Sequence, residues 1–189
     1  MVKDTKTALL DSAEAAARRV GFDGFSYADL AQDVGIRKAS IHHHFPSKAT
    51  LSGALMARYA RRMEAACADI DAARGTGGAR LKALVQLYRA ALGDGTQLCL
   101  CVAFSISRDH LSADTLREVT QFRGITLQWL QTVFALGGSD GSIHAVQDTQ
   151  IEAASTLALL EGAQLAARTQ HDLGRFDMAV SLLEKRISS

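Results

Sequence analysis

Apolar residues recur at intervals of three and four through most of this chain, and the places where that rhythm stops divide it into a series of helices. Leu9, Ala13, Ala16, Ala17 and Val20 predict a first helix over residues 4–20, ending at Gly21. Residues 25–51 carry the densest local signals. Ser26 is placed to cap a short helix whose apolar face is Leu30, Ala31 and Val34, and Gly35 supplies the backbone freedom of a turn between crossed helices. Ile36 and Ile41 then anchor a second short helix, which Pro46 ends, and Ser47 with Lys48 opens the next. Phe22, Phe25 and Phe45 are the expected core aromatics of this three-helix unit.

Beyond it the pattern lengthens. A long helix is predicted from Lys48 to about Asp71, with Leu51, Leu55, Tyr59 and Met63 on one side. Gly75-Thr-Gly-Gly is the clearest break, followed by a helix through Leu81, Leu84, Val85, Tyr88 and Leu92 that stops at Gly93-Asp-Gly. Residues 97–107 read as a short, buried, almost wholly apolar helix. Ser112 opens a helix through Leu116, Val119, Phe122, Ile125, Trp129 and Phe134 that ends at Gly137-Gly138, and Gly137–Gly141 is expected to be a flexible loop. Two helices close the chain, over about 147–171 and 174–188. The first is apolar around much of its circumference (Ile151, Ala154, Leu157, Ala158, Leu160, Ala163, Leu165, Ala166), so it is expected to bury more than one side, one of them against a second subunit.

Composition agrees with an all-α protein: there is a single proline, aromatics make up 6%, and Ala and Leu are abundant. The 189 residues suffice for one or two domains, read here as 1–48 and 49–189. No apolar run reaches the roughly 18 residues of a membrane span. The opening residues lead into an amphipathic pattern rather than a signal peptide, and Cys67, Cys99 and Cys101 do not make a disulfide framework, so a cytoplasmic location is the simplest expectation. The net charge of +1 hides an asymmetry: residues 1–62 hold ten Lys/Arg against six Asp/Glu, residues 63–189 eleven against fourteen. The basic end is the one expected to meet a polyanion.

That end also carries the candidate chemistry. On the second short helix, Ile41 turned to the core leaves Arg37, Lys38, Ser40, His42 and His43 outward, all donors suited to phosphates or base edges. This is the arrangement of a DNA-reading helix-turn-helix, in which Arg37 and Lys38 would donate to guanine, Ala39 would allow close approach or touch a thymine methyl, and Ser40 would reach a base or a phosphate. Ser26, Tyr27, His42, His43 and Lys48 are assigned to the sugar–phosphate backbone. His42, His43 and His44 in succession lie about 100° apart around a helix and cannot converge on one ion, so no metal is expected, nor any cofactor. Catalytic constellations are missing as well: there is no nucleophile elbow, phosphate loop or spaced carboxylate pair, and an enzyme is not expected. Met63, Tyr88, Phe104, Phe122 and Trp129 could line an effector pocket or simply form core. Cys99 and Cys101, two apart on a helix, point to nearly opposite sides and are not expected to pair.

The register Gly24-Phe25-Ser26, Leu30-Ala31, Val34-Gly35-Ile36 and Ala39 to Lys48 resembles the N-terminal domain of the TetR repressors over roughly residues 5–55. Leu159 to Arg168 resembles the penultimate helix of that family, which with the last helix forms a four-helix dimer interface. The resemblance implies a homodimeric, cytoplasmic transcriptional repressor that binds a palindromic double-stranded DNA operator and is released by a small-molecule effector. It also draws attention to Cys99, because Leu98-Cys99-Leu100 resembles a segment where some members carry an electrophile-sensing cysteine. One departure stands out: the family usually has tyrosine or another aromatic where this chain has His42. The alternative reading is a DNA-binding architectural or co-regulatory dimer with a filled core and no ligand.

Overall fold

The computed structural model describes residues 4–188. Its helices are α1 (Thr5–Val20), α2 (Tyr27–Val34), α3 (Lys38–His44), α4 (Lys48–Ala73), α5 (Gly77–Ala90), α6 (Leu100–Ile106), α7 (Ala113–Ser139), α8 (Thr149–Gln170) and α9 (Leu173–Glu184), with 3-10 turns at Phe22–Gly24 and Arg108–His110. The protein is all-α, and among the described residues the extended backbone pairs only at an isolated bridge between Ile143 and Ile187. No helix among them is long and apolar enough to cross a membrane. The chain forms two compact units, one of residues up to Arg61 with Leu100–Phe122, the other of Arg62–Cys99 with Arg123 onward.

In the first unit, local signals set the helix ends. Asp4 caps α1 by accepting from the Thr7 amide at 3.1 Å, and Leu9, Leu10, Ala13 and Ala17 bury its inner face. Ser26 and Asp29 form a reciprocal capping box at the start of α2. Gly35 ends α2 in the left-handed region (φ 73°, ψ 34°), a conformation that disfavours side chains, and this turn aims α3 across α2. Arg58 on α4 grips α1 through Asp11 at 2.7 Å and the buried Glu14 at 2.8 Å. α6 joins the same core, with Phe104 packed edge-on against Phe22 at 4.9 Å between centroids. The buried Ser52 hydroxyl meets Thr115 of α7 at 2.8 Å. His110 lies 2.9 Å from Asp23, and their hydrogen bond raises the histidine and lowers the carboxyl from their usual ranges.

The second unit corrects the reading of its glycines. Gly77 and Gly78 are the buried first turn of α5, and Gly137 is a buried residue inside α7, which continues to Ser139. What looked like flexibility is close approach: a Cβ on Gly77 would fall 2.3 Å from the Gly137 nitrogen. Asp140 and Ser142, just past α7, accept from the Gly77 and Gly78 amides at 2.9 and 2.7 Å and so satisfy the start of α5. α8 and α9 pack along one another, each capped at its start by an aspartate, Asp148 and Asp172. α9 is shorter than expected, because the chain after Glu184 turns so that Ile187 pairs with Ile143. Their other faces remain apolar and open: Ile151 (64% exposed) and Leu165 (40%) on α8, with the exposed Ala154, Ala158 and Gly162 between them, and Met178 (68%) and Leu182 (67%) on α9.

Candidate nucleic-acid interface

The chain from Arg37 to Phe45 alternates between core and surface at helical spacing. Ile41 is wholly buried and Phe45 nearly so, and these two positions hold α3 against the first unit. Everything between them and before them on the outer side is exposed: Arg37, Lys38, Ala39, Ser40, His42 and His43. Ile36 and His44 are half-buried. The sequence-predicted donors of α3 are thus gathered on one short, solvent-facing row of alternating cation, hydroxyl and imidazole. Such a row matches the chemistry of phosphate oxygens and of base edges in a major groove.

Two residues expected on phosphates have their polar groups hydrogen-bonded within the protein. Tyr27 is only 7% exposed, and its hydroxyl donates to the Phe45 carbonyl at 2.9 Å, tying the first residue of α2 to the residue that ends α3. Burial pushes its phenol up from the usual range. Lys48 is half-buried, and its ammonium donates to the Phe22 carbonyl at 2.8 Å while lying 4.9 Å and 4.4 Å from the ring centres of Phe22 and Phe25. Burial lowers its pKa, partly offset by the nearby Asp23 and Asp29 carboxylates. The physical reason is the same for both: an aromatic and carbonyl-lined interior captures a long amphipathic side chain whose tip still finds an acceptor. Ser26 is exposed, but its oxygen serves the α2 cap and its proton goes to Asp29 at 2.8 Å.

Lys48→Met therefore should act first on stability. Loss of the carbonyl hydrogen bond and the two ring contacts is expected to cost about 1–2 kcal/mol, read as a thermal-melt shift of about 2–8 °C. A variant that melts like the wild type would show the ammonium to be idle in the fold.

The residues expected around an effector are distributed over both units. In the second, the buried Gln164 on α8 donates to the Tyr88 carbonyl at 2.8 Å and accepts from the Cys99 amide at 2.9 Å, joining two of them. Gln164 escaped sequence reasoning, although a lone amide in an apolar helical stretch was the available signal. Trp129 donates to Asp71 at 3.0 Å, and Met63 is buried. In the first unit, Phe104 packs on Phe22 and Phe122 on Tyr59 at 5.3 Å. Cys99 lies just before α6 rather than on it, so the helical-angle argument about the cysteine pair does not apply. It is 2% exposed, and Cys101 and Cys67 are buried too. Burial, followed by the Asp71 and Glu64 carboxylates, pushes the Cys67 thiol up to about 12, far from a reactive thiolate. Among the described residues no group of three His, Cys, Asp or Glu side chains is gathered as a metal would need.

Residues 9–55 match the family described as bacterial regulatory proteins, tetR family. Across the whole chain, the fold is similar to that of a TetR-family transcriptional regulator from Agrobacterium tumefaciens, at 30% identity, with 97% of each chain covered and a TM-score of 0.91. A TetR regulator from Legionella pneumophila (23% identity, 99% of each chain, TM-score 0.89) and the reduced form of NemR from E. coli (21%, 98% of each chain, 0.82) share the fold. Among curated proteins no relative matches.

Proposed function

Because the chain belongs to the TetR family of bacterial regulatory proteins, we propose that it is a dimeric repressor that binds a palindromic operator and is released by a small-molecule effector. As a member it is a transcriptional regulator rather than an enzyme. The observation that carries the proposal is the exposed row Arg37, Lys38, Ala39, Ser40, His42 and His43, mounted on the buried Ile41 and Phe45 within the family-matching segment. Residues 1–48 are the proposed DNA-binding part, and 49–189 the effector-binding and dimerising part. Support for a homodimer through α8 and α9 comes from their exposed apolar faces, which are unusual on a lone chain. A two-fold dimer reads a palindrome when its two α3 helices stand about 34–36 Å apart, or a multiple. An effector that favours another spacing lowers operator affinity by linkage, typically by about 1–3 kcal/mol. The effector is proposed to bind non-covalently, since a reagent reaches the Cys99 sulfur only if its surroundings open.

The test is fluorescence anisotropy of the protein with the DNA upstream of its own coding sequence and with a scrambled duplex, over a salt series. Tight binding to one defined palindrome, weakening steeply as salt rises, is expected. Arg37→Ala should lower specific affinity by about 1–3 kcal/mol and relax base preference. No binding to either duplex at low salt would overturn the reading.

A further inference from the structure

His42 sits on the exposed row of α3, one turn after Lys38. Its Nδ1 lies 3.4 Å from the Pro46 carbonyl oxygen. A carbonyl can only accept, so as a hydrogen bond this contact places the ring proton of a neutral His42 on Nδ1. What the neutral ring then offers outward is Nε2 with a lone pair, an atom that repels a phosphate oxygen. A second proton, taken up at Nε2, makes that atom a donor and leaves the Nδ1 bond in place. The Tyr27 ring packs against His42 at 5.0 Å and 60°, and Tyr27 is itself pinned by its bond to Phe45. Protonation therefore changes what the side chain presents without requiring it to move.

We propose that His42 is a protonation-gated phosphate contact, so that DNA affinity rises as pH falls. This rests on the reading of α3 as the DNA-facing helix. The surrounding charges fit the gate. From α2, Tyr27 faces the ring with its hydroxyl occupied, and the Asp29 carboxylate is held by Ser26. On α3 itself stand Lys38 and His43, and from α4 the Lys48 ammonium is turned to the Phe22 carbonyl. Asp4, at the head of α1, is stabilised as a carboxylate chiefly by Thr7 and in small part by His44, not by His42. Among the described residues no carboxylate pairs with His42 or His43, so the anion that rewards the second proton is the DNA phosphate, and proton uptake accompanies binding. His43 differs: its ring meets the His44 ring at 5.4 Å, and among the described residues no carbonyl dictates its tautomer. A neutral His43 can place N–H on whichever nitrogen faces the DNA, so its contact is not gated.

The experiment uses the full-length protein and a labelled duplex that the protein itself selects from a random pool. Anisotropy is recorded at constant salt between about pH 6 and pH 8, the range over which histidine changes charge. With two His42 residues per dimer, the wild-type Kd is expected to rise about tenfold or more across that range. His42→Tyr, whose hydroxyl donates at every pH tested, should bind tightly with a flat profile. His42→Phe should bind weakly with a flat profile, and His43→Gln should keep the wild-type slope. A flat wild-type profile, or a slope that survives in His42→Tyr, overturns the proposal while leaving DNA binding intact. Failure to select any duplex overturns the DNA reading beneath it. Thermal melts at both ends of the pH range check folding, and if His42→Phe fails to fold, the tyrosine variant decides.

Discussion

Leu182→Arg is expected to leave each chain folded, convert the protein to monomers and weaken operator binding by about two to four orders of magnitude. Leu182 is 67% exposed on α9 and one turn from Met178, which is 68% exposed, so the substitution removes nothing from the core of the single chain. A surface change of that kind shifts the stability of the chain by no more than about 0.5 kcal/mol. In a two-fold dimer the same residue enters the interface twice, once from each copy. Two guanidinium groups placed in an apolar seam without partners cost several kcal/mol, enough to separate the subunits. A monomer can still offer one α3 to one half-site, but it loses the second, tethered contact that makes the operator a tight ligand. Sedimentation or light scattering would give the mass, and anisotropy the affinity. A Leu182→Arg protein that stays dimeric with unchanged affinity would place the subunit contact elsewhere and leave the open faces of α8 and α9 unexplained.

Legibility in the sequence tracked the range of the interactions involved. The ends of α1, α2 and α3 were readable because their causes are local: Gly21 after α1, Ser26 and Gly35 around α2, and Pro46 after the buried Ile41 and Phe45. The exposed face of α3 followed from that register alone. The directions of the Tyr27 and Lys48 side chains were not legible because both are long and amphipathic, and the direction of such a side chain is decided by what lies beside it. Here the deciding groups were the carbonyls of Phe45 and Phe22, distant by 18 and 26 residues in sequence. Glycines posed the same problem in another form. A glycine signals either freedom or contact, and Gly137 looked like the end of a helix when it is the place where α7 meets the start of α5. The partners of Gln164 were hidden for a third reason: its amide serves two main-chain groups, the Tyr88 carbonyl and the Cys99 amide, and main-chain needs leave no mark in the sequence.

Gly77→Ala is expected to destabilise the protein by about 3–5 kcal/mol, a large effect for one methyl group. The new Cβ would stand 2.3 Å from the Gly137 nitrogen, 2.4 Å from its Cα and 2.6 Å from the Val133 carbonyl oxygen. All three are backbone atoms of α7, so no side-chain rotation relieves the clash. Moving α5 away instead stretches the bonds that satisfy its first amides, Gly77 to Asp140 at 2.9 Å and Gly78 to Ser142 at 2.7 Å. Each amide left without an acceptor adds about 1 kcal/mol or more to the overpacking term. For a chain of this size the loss should appear as a fall in melting temperature of about 6–20 °C. Gly124→Ala, on the same α7, is the matched control: apart from its chain neighbours and the backbone of its own helix turn, its Cβ would meet no atom within 4 Å. There the substitution only improves helix propensity and should raise stability by about 0.5–1 kcal/mol. Opposite signs from one chemical change would locate the effect in the α5–α7 approach rather than in glycine itself. If Gly77→Ala melted with the wild type, the two helices would have room that the structure denies them.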